Sequence, residues 1–253
     1  MSVGFIHGVM NTDNMTVSGE TIDYGPCAFM DTYSAQTVFS SIDTHGRYAY
    51  ANQPPILSWN LARLAETLIP LVNSDKGIAI GLLTDAVQDV RRVYETHWLN
   101  AMRLKIGLRT KNPSDLDLIN DLLSLMENSH ADFTLVFRHL SKFLLGDNST
   151  VLQQFGLSAS FDDWLQRWQN RLKLEVGRPE THALAMDRIN PIYTPRNHKV
   201  EEVLSAAVNH NDMRPFSRLL EVLSHPFDEV EGQEEYSIPG PQLNAPYQTF
   251  CGT

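Results

Sequence analysis

The sequence predicts a mainly α-helical fold with one small β-hairpin near the N-terminus. From residue 56 onward, apolar residues recur at spacings of three and four, which is typical of helices that bury one face. Before that point, two short β-prone runs at residues 15–18 and 21–22 are separated only by Gly19 and Glu20. A two-residue link that starts with glycine predicts a type II′ hairpin. Residues 26–55 show little periodicity, so we expect a mostly irregular segment there.

The first two predicted helices open the helical region. One begins at Pro54 and Pro55, because proline is favoured in the first turn of a helix. Its expected buried face comprises Leu57, Leu61, Leu64 and Leu68. The second is a long helix at about residues 77–108. Its expected buried stripe comprises Leu83, Ala86, Val90 and Val93.

The remaining helices are predicted at about residues 115–128, 133–145, 161–172, 200–209 and 215–224. Trp164 and Trp168 share one helix face, a spacing that indicates core packing and not a cofactor site. Arg196 lies in a loop punctuated by prolines, and we expect it to dock that loop structurally. Residues 228–253 are acidic and contain proline and glycine, which predicts a flexible tail.

Composition excludes several classes of protein. The 253 residues are 42% hydrophobic and carry a formal net charge of −10, without a dense block of Lys or Arg. Nucleic-acid surfaces and anchors to anionic membranes need clustered positive charge, so we expect neither partner. The longest apolar run, residues 77–83, is too short to span a bilayer, and no signal peptide is recognised. Two cysteines favour a reducing compartment, and a bacterial cytoplasm is the expected location.

The most informative stretch lies in the first twenty-five residues. Kinase catalytic loops place an Asp base five positions before an Asn that binds Mg²⁺, and a second metal-binding Asp follows in an Asp-aromatic-Gly turn. Asn14 and the triplet Asp23-Tyr24-Gly25 match the two metal positions. The predicted hairpin would fold Asp23 back beside Asn14. One amide oxygen and one carboxylate suit a metal–nucleotide complex better than a self-sufficient metal cage.

The usual catalytic base is missing from this pattern. Five positions before Asn14 stands Val9, whose side chain cannot accept a proton. Asp13 could supply either the base or a second metal carboxylate. The alternative for Asp13 and Asn14 is a simple turn, because both residue types favour turns. The full combination with the hairpin and Asp23 favours a metal–nucleotide site.

The chain resembles the selenoprotein O family. The resemblance rests on residues 4–15 and 21–26, which include His7-Gly8-Val9-Met10-Asn11-Thr12-Asp13-Asn14 and Asp23-Tyr24-Gly25. It extends to His45-Gly46-Arg47-Tyr48, Asn52-Gln53-Pro54, Trp59-Asn60-Leu61, Arg63-Leu64-Ala65, Asn190-Pro191 and Arg196-Asn197. It covers almost the whole chain, but only the C-terminal half of such a protein.

The resemblance implies a protein-kinase-like C-lobe over residues 1–227. Within it, residues 1–25 would form the catalytic loop and metal-binding hairpin, residues 26–55 an activation-loop-like segment and residues 56–227 a helical subdomain. The family is described as transferring AMP from ATP to Ser, Thr or Tyr hydroxyls of proteins, with Mg²⁺ or Mn²⁺. By resemblance, Asp13 is the proton acceptor, Asn14 a metal ligand and Asp23 a ligand of metal and nucleotide.

The resemblance implies that the N-lobe half is not part of residues 1–253. The sequence contains no G-x-G-x-x-G and no G-x-x-x-x-G-K pattern, although such an enzyme needs a phosphate-cradling loop and an N-lobe Lys. The missing half would belong to the same gene product or to a separate chain. We therefore expect residues 1–253 alone to bind ATP weakly and to transfer nothing measurable.

The two cysteines suggest a redox element. Cys251 stands third from the end, where the resembled family carries selenocysteine or cysteine that is thought to act in redox control. Its only possible partner in this chain is Cys27, and a bridge between them would hold the tail across the metal site. Two free thiols are the favoured alternative.

Two other functions remain open at this point. A phosphotransferase would move the γ-phosphate instead of AMP, with Asp13 reaching the substrate in place of the missing base. A catalytically inert helical module would only bind partners, which the absence of the N-lobe Lys and glycine loop favours for the isolated chain.

Overall fold

The computed structural model describes residues 1–156, 158–241 and 247–250. It is mostly helical, as the sequence predicts, and it has one small antiparallel sheet, which lies at other residues than the predicted hairpin. The sheet has two strands, β1 (Phe5–Ile6) and β2 (Ala28–Phe29). Among the described helices, none combines the length and the apolar character that crossing a bilayer requires.

Within the described ranges, the α-helices account for most of the chain. They are α1 (Gln53–Val72), α2 (Lys76–Lys105), α3 (Asp115–Asn128), α4 (Phe133–Leu144), α5 (Ser149–Phe155), α6 (Ala159–Leu172), α7 (Pro179–Asp187), α8 (Asn197–His210) and α9 (Arg214–Leu223). The prediction for α3 has the observed bounds. Helices α5 and α7 were not predicted, because helices of seven and nine residues are too short to show a period. Short 3₁₀ turns lie at Thr12–Asn14, Tyr50–Asn52 and Glu234–Tyr236.

The chain forms two compact units. The first comprises residues 1–4 and 29–34 with the described part of 100–245, and it contains α3 to α9. The second comprises residues 5–28 and 35–99 with the described part of 246–253. The predicted metal-site residues Asp13, Asn14 and Asp23 all belong to the second unit.

A buried aromatic stack lies in the first unit. The rings of Phe155, Phe161, Trp164 and Trp168 follow one another with centroid separations of 3.9, 5.8 and 5.7 Å. Both indole N–H groups are satisfied, since Trp164 donates to the Leu118 carbonyl and Trp168 to the Ile106 carbonyl. The expectation that the tryptophan face is core is confirmed.

Arg196 docks its loop, as expected. Its side chain is fully buried and donates to Asp31 at 2.6 Å and to Asp132 at 2.7 Å. A further N–H donates to the Ser237 carbonyl. A buried guanidinium is tolerated here because two carboxylates and a carbonyl replace its hydration.

The expected buried faces of α1 and α2 are partly wrong. In α1 the buried residues are Gln53, Ile56 and Asn60, whereas Leu64 is 39% exposed. In α2, Val93 is 41% exposed. Ala86 is exposed as well, and Leu83 and Val90 are only half-buried. Periodicity shows which residues share a helix face, but whether a neighbour covers that face is decided by the tertiary fold.

The described part of the tail makes specific contacts. Glu229 pairs with Lys142 at 2.6 Å, and Glu235 pairs with Lys199. Thr249 forms a parallel bridge with Ser40. These exposed ion pairs stabilise little, and the flexibility of residues 228–253 stays a prediction.

Candidate active site

The end of strand β1 is fixed by the first residue of α1. The side-chain oxygen of Gln53 accepts a hydrogen bond from the His7 N–H at 3.1 Å. Its amide nitrogen donates to the Phe5 carbonyl at 3.0 Å. Because Gln53 is buried and its amide satisfies both backbone groups, the chain enters the candidate site at a defined position.

Gly8 allows the chain to turn closely past Pro26. Its φ is +86°, and a Cβ built on it would lie 2.6 Å from the Pro26 carbonyl oxygen. A side chain at this position would therefore require the backbone to move. The imidazole Nδ1 of His7 accepts from the Val9 N–H at 3.4 Å, across the same turn.

Replacing Gly8 by alanine is expected to lower the free energy of unfolding clearly more than replacing Gly19. Both glycines have positive φ, +86° and +79°, so both variants carry backbone strain of about 1 kcal/mol. Nothing lies within 4 Å of the Gly19 Cβ position, whereas Gly8→Ala adds the clash with Pro26. We expect a further loss of about 1–3 kcal/mol for Gly8→Ala, measured by urea denaturation. Equal losses in the two variants would show that the close approach is unimportant.

The predicted catalytic loop is held from two further sides. The buried Asn60 side chain donates to the Met10 carbonyl at 2.9 Å and contacts the Met15 sulfur. The Tyr48 hydroxyl donates to the Asn11 side-chain oxygen. Sequence reasoning gave no role to Gln53, Asn60 or Tyr48. The available signal was the spacing of the two amides, which is two helical turns and places them on one face of α1.

The two residues of the Asp13–Asn14 pair differ in their surroundings. Asn14 is half-buried, and its amide nitrogen donates to the Val9 carbonyl at 3.0 Å. Its side-chain oxygen accepts no hydrogen bond from the described residues, which leaves it available to a ligand. Asp13 is exposed and forms neither a hydrogen bond nor an ion pair with any described residue. Val9, at the usual base position, is buried and apolar.

Asp23 is oriented by its own turn. One carboxylate oxygen accepts from the Gly25 N–H at 2.8 Å, an arrangement typical of an Asx turn. Among the described residues, none donates to the other oxygen. The half-buried Asp23 therefore presents one carboxylate oxygen that is free to bind a cation.

The link between Asn14 and Asp23 is a wider loop than expected. Met15 and Thr21 form a single antiparallel bridge that encloses residues 16–20, so the expected two-residue turn is wrong. The Thr16 hydroxyl donates to the Glu20 carbonyl at 2.8 Å and accepts from the Glu20 N–H at 3.0 Å. This side chain replaces the backbone pairing that a tight hairpin would use. The bridge still pairs Met15, which follows Asn14, with Thr21, which lies two residues before Asp23.

His7 connects the two candidate ligands electrostatically. Burial lowers the pKa of His7, opposed by the Asp23 carboxylate and by the carbonyl groups of His7 and Asn14. The backbone of Asn14 and the carboxylate of Asp23 thus both act on the pKa of the same imidazole. A lowered His7 pKa reduces the positive charge beside Asp23, which suits a cation.

The donor set fits a divalent cation held together with a nucleotide. In the part of the chain that the structure describes, no three His, Cys, Asp or Glu side chains form a metal-binding cluster. The free oxygens of Asn14, Asp23 and Asp13 are hard donors of the type that Mg²⁺ prefers. Because they are too few for a complete coordination shell, phosphate oxygens and waters would have to supply the rest.

Of the two predicted redox residues, only Cys27 lies in the described part of the chain; Cys251 lies outside it. Cys27 is half-buried, and its thiol donates to the Tyr24 carbonyl at 3.2 Å. Burial raises the pKa of the Cys27 thiol, and the Asp23 carboxylate raises it further. The hydroxyl of Thr249 donates to the carbonyl of Pro26, the residue before Cys27.

Comparison with known proteins places these residues in a family. The family model described as "Protein adenylyltransferase SelO" matches residues 1–224. The chain is 54% identical to the "Protein nucleotidyltransferase YdiU" of Geobacillus kaustophilus, over 99% of this chain and 51% of that protein. It is 48% identical to that of Maridesulfovibrio salexigens and 49% identical to that of Rhizobium meliloti, over the whole chain and 51% and 52% of those proteins. The chain thus spans about half the length of the curated relatives it matches.

Proposed function

The chain belongs to the SelO family of protein adenylyltransferases, and we propose that it forms the kinase-like C-lobe of such an enzyme. The whole protein would transfer AMP from ATP to Ser, Thr or Tyr hydroxyls of protein substrates. The N-lobe half, with its phosphate-cradling loop and Lys, would be supplied by further sequence or by a separate chain. The relatives are bacterial, which supports a bacterial source, and a bacterial cytoplasm stays the proposed location.

One observation carries this proposal. Val9 is buried and apolar at the usual base position of a kinase loop, while the carboxylate of Asp13 is exposed and has no partner among the described residues. Asp13 also immediately precedes Asn14, the proposed metal ligand. This arrangement supports Asp13 as the proton acceptor, in place of a residue at position 9.

The residues of this chain would act as follows. Asn14 and Asp23 would hold Mg²⁺ or Mn²⁺ through their free side-chain oxygens, and Asp23 would also hold the nucleotide through that metal. A bound divalent cation would neutralise charge on the ATP phosphates. Asp13 would accept the proton of the substrate hydroxyl while the hydroxyl oxygen forms a bond to the α-phosphorus of ATP. The bond from the α-phosphorus to the bridging oxygen breaks, and pyrophosphate leaves with its electron pair.

The cysteines remain a secondary part of the proposal. The contact of Thr249 with Pro26 supports a tail that returns close to Cys27, and Cys251 follows two residues after Thr249. A bridge between Cys27 and Cys251 would restrict access to Asp23. The raised pKa of Cys27 slows thiolate chemistry and favours the alternative of two free thiols.

The proposal is tested with what we call the completed protein, this chain fused to the half of the Geobacillus kaustophilus relative that it does not match. We expect mass spectrometry of its protein products to show added AMP after incubation with ATP and Mg²⁺. We expect the chain alone to yield no modified product under the same conditions. Added phosphate would favour the phosphotransferase, and no modification by the completed protein would favour the inert module.

A further inference from the structure

A cavity of about 610 Å³ lies beside the catalytic loop in the second unit. Val9 and Asn11 line it from the loop, and six residues of the segment 42–48 line it from the other side. Two of those six, Asp43 and Arg47, carry opposite charges. Whether each of these charged groups already has a partner within the chain decides which ligand the cavity can bind.

The carboxylate of Asp43 is already engaged by the backbone. Its two oxygens accept from the N–H groups of Arg47 and Tyr48, each at 2.8 Å. These bonds close the loop and set the position from which the Arg47 side chain leaves it. Asp43 is therefore a structural group of the cavity wall and offers little to a ligand.

The guanidinium of Arg47 is held in place by aromatic rings. It lies 4.8 Å from the ring centroid of Trp59 and 5.7 Å from that of Tyr48. Arg47 forms no ion pair with any residue that the structure describes. Arg63 stacks on Trp59 as well, at 5.3 Å, but its charge is paired with Glu66 at 2.7 Å. Of these two guanidinium groups on Trp59, only that of Arg47 lacks a described carboxylate partner.

A stacked guanidinium is suited to recognising an oxyanion. Stacking uses the flat face of the group and leaves its N–H edge available for a bidentate bond to a carboxylate or a phosphate. Because the rings already restrict the side chain, less conformational entropy is lost when the ligand binds. In a chain of net charge −10, an unpaired cation in a cavity wall indicates an acidic ligand.

The position of the cavity favours the acceptor protein over the nucleotide as the source of that ligand. Asn11 lines the cavity and stands two residues before Asp13, and the Tyr48 hydroxyl is bonded to its side chain. The proposed ligands of the metal–nucleotide complex, Asn14 and Asp23, do not line it. Asp13 does not line it either, so the cavity lies beside the loop that carries the proposed proton acceptor and outside the set of proposed metal ligands. This favours a part of the acceptor protein over metal-bound phosphates as its ligand.

We propose that this cavity binds an acidic side chain of the protein substrate, near the hydroxyl that is modified, through the Arg47 guanidinium. The assignment of a protein acceptor rests on the proposed function. The geometry of the cavity does not depend on the proposed function, because the cavity is formed by residues of this chain alone.

The test measures peptide binding to the chain without ATP. Fluorescence anisotropy compares labelled short peptides that carry a central Ser and one Glu placed at each flanking position in turn, with Gln at the same position as the matched peptide. We expect at least one Glu peptide to bind about tenfold more tightly than its Gln partner, and this preference to disappear in Arg47→Gln. Arg63→Gln, which removes the paired guanidinium from the same ring, is expected to keep it.

Three outcomes would overturn the proposal. The wild-type chain could bind Glu and Gln peptides equally, or Arg47→Gln and Arg63→Gln could lose the preference equally, which would indicate unspecific charge attraction. Displacement of the peptide by pyrophosphate would assign the cavity to the nucleotide. The peptide test does not measure AMP transfer, so the two proposals fail separately. If the completed protein transfers no AMP, a measured preference for Glu peptides still supports the acidic ligand of the cavity. If the preference is absent, the proposed AMP transfer is unaffected.

Discussion

Asp23→Asn is expected to abolish both Mg²⁺-dependent ATP binding and AMP transfer in the completed protein. The substitution keeps the size of the side chain and an oxygen for the Gly25 N–H, but it removes the negative charge that would hold the metal. A metal ion stabilises the charge of a transferring phosphoryl group by several kcal/mol. A loss of that size corresponds to a fall in transfer rate of about 100-fold or more. Titration calorimetry and product mass analysis measure the two effects separately.

A second carboxylate variant separates metal binding from proton transfer. Asp13→Asn should reduce transfer by about 10²–10⁴-fold, the range for loss of a general base, while ATP binding stays within about twofold. Asp85→Asn is the matched control, because Asp85 is an exposed carboxylate of α2 that takes no part in the proposed site. The assignment of Asp23 is wrong if Asp23→Asn binds Mg²⁺–ATP as tightly as the wild type does.

Arg196→Met is expected to lower the free energy of unfolding by about 3–5 kcal/mol. The variant keeps an apolar stem of similar length but leaves the buried Asp132 and the partly buried Asp31 without their cation. It also removes the hydrogen bond to the Ser237 carbonyl. Urea denaturation at neutral pH measures the loss. Arg218→Met, which breaks an exposed pair with Glu221, should leave the value within experimental error.

The effect of Arg196→Met should shrink as the pH falls. Burial raises the pKa of Asp132 already in the wild type, opposed by the Arg196 guanidinium. Without that guanidinium the folded-state pKa rises further above the unfolded value, so the folded variant gains a proton before the unfolded chain does. Its stability therefore increases as the pH falls from about 7 towards 5, relative to the wild type. An effect that stays constant over this range would contradict a buried, unpaired carboxylate as the cause.

Local sequence was sufficient for most of the helical framework. The bounds of α3 and the buried tryptophans of α6 follow from spacing alone, since a long amphipathic helix repeats its apolar residues every turn. Helices α5 and α7 were missed because they contain too few turns. The turn between Met15 and Thr21 was misjudged, because the Thr16 hydroxyl closes a loop that backbone propensity does not describe.

The candidate site was only partly predictable. Asp13, Asn14 and Asp23 could be named from residue type and offset, and their roles stay predictions until they are tested. The groups that fix the loop, Gln53 and Asn60, could not be named. Their contacts reach 46 and 50 residues back along the chain, a distance over which a local pattern carries no information.

The sequence by itself determined the helical class, the family and the oxygen-bearing residues of the candidate metal site. The tertiary structure alone decided which polar groups are neutralised and which remain available. Asp132 and Asp43 are used by Arg196 and by a backbone turn, whereas Asp13 and Arg47 have no charged partner among the described residues. The physical reason is that pairing of charges depends on distances between side chains far apart in sequence, which only the folded chain defines.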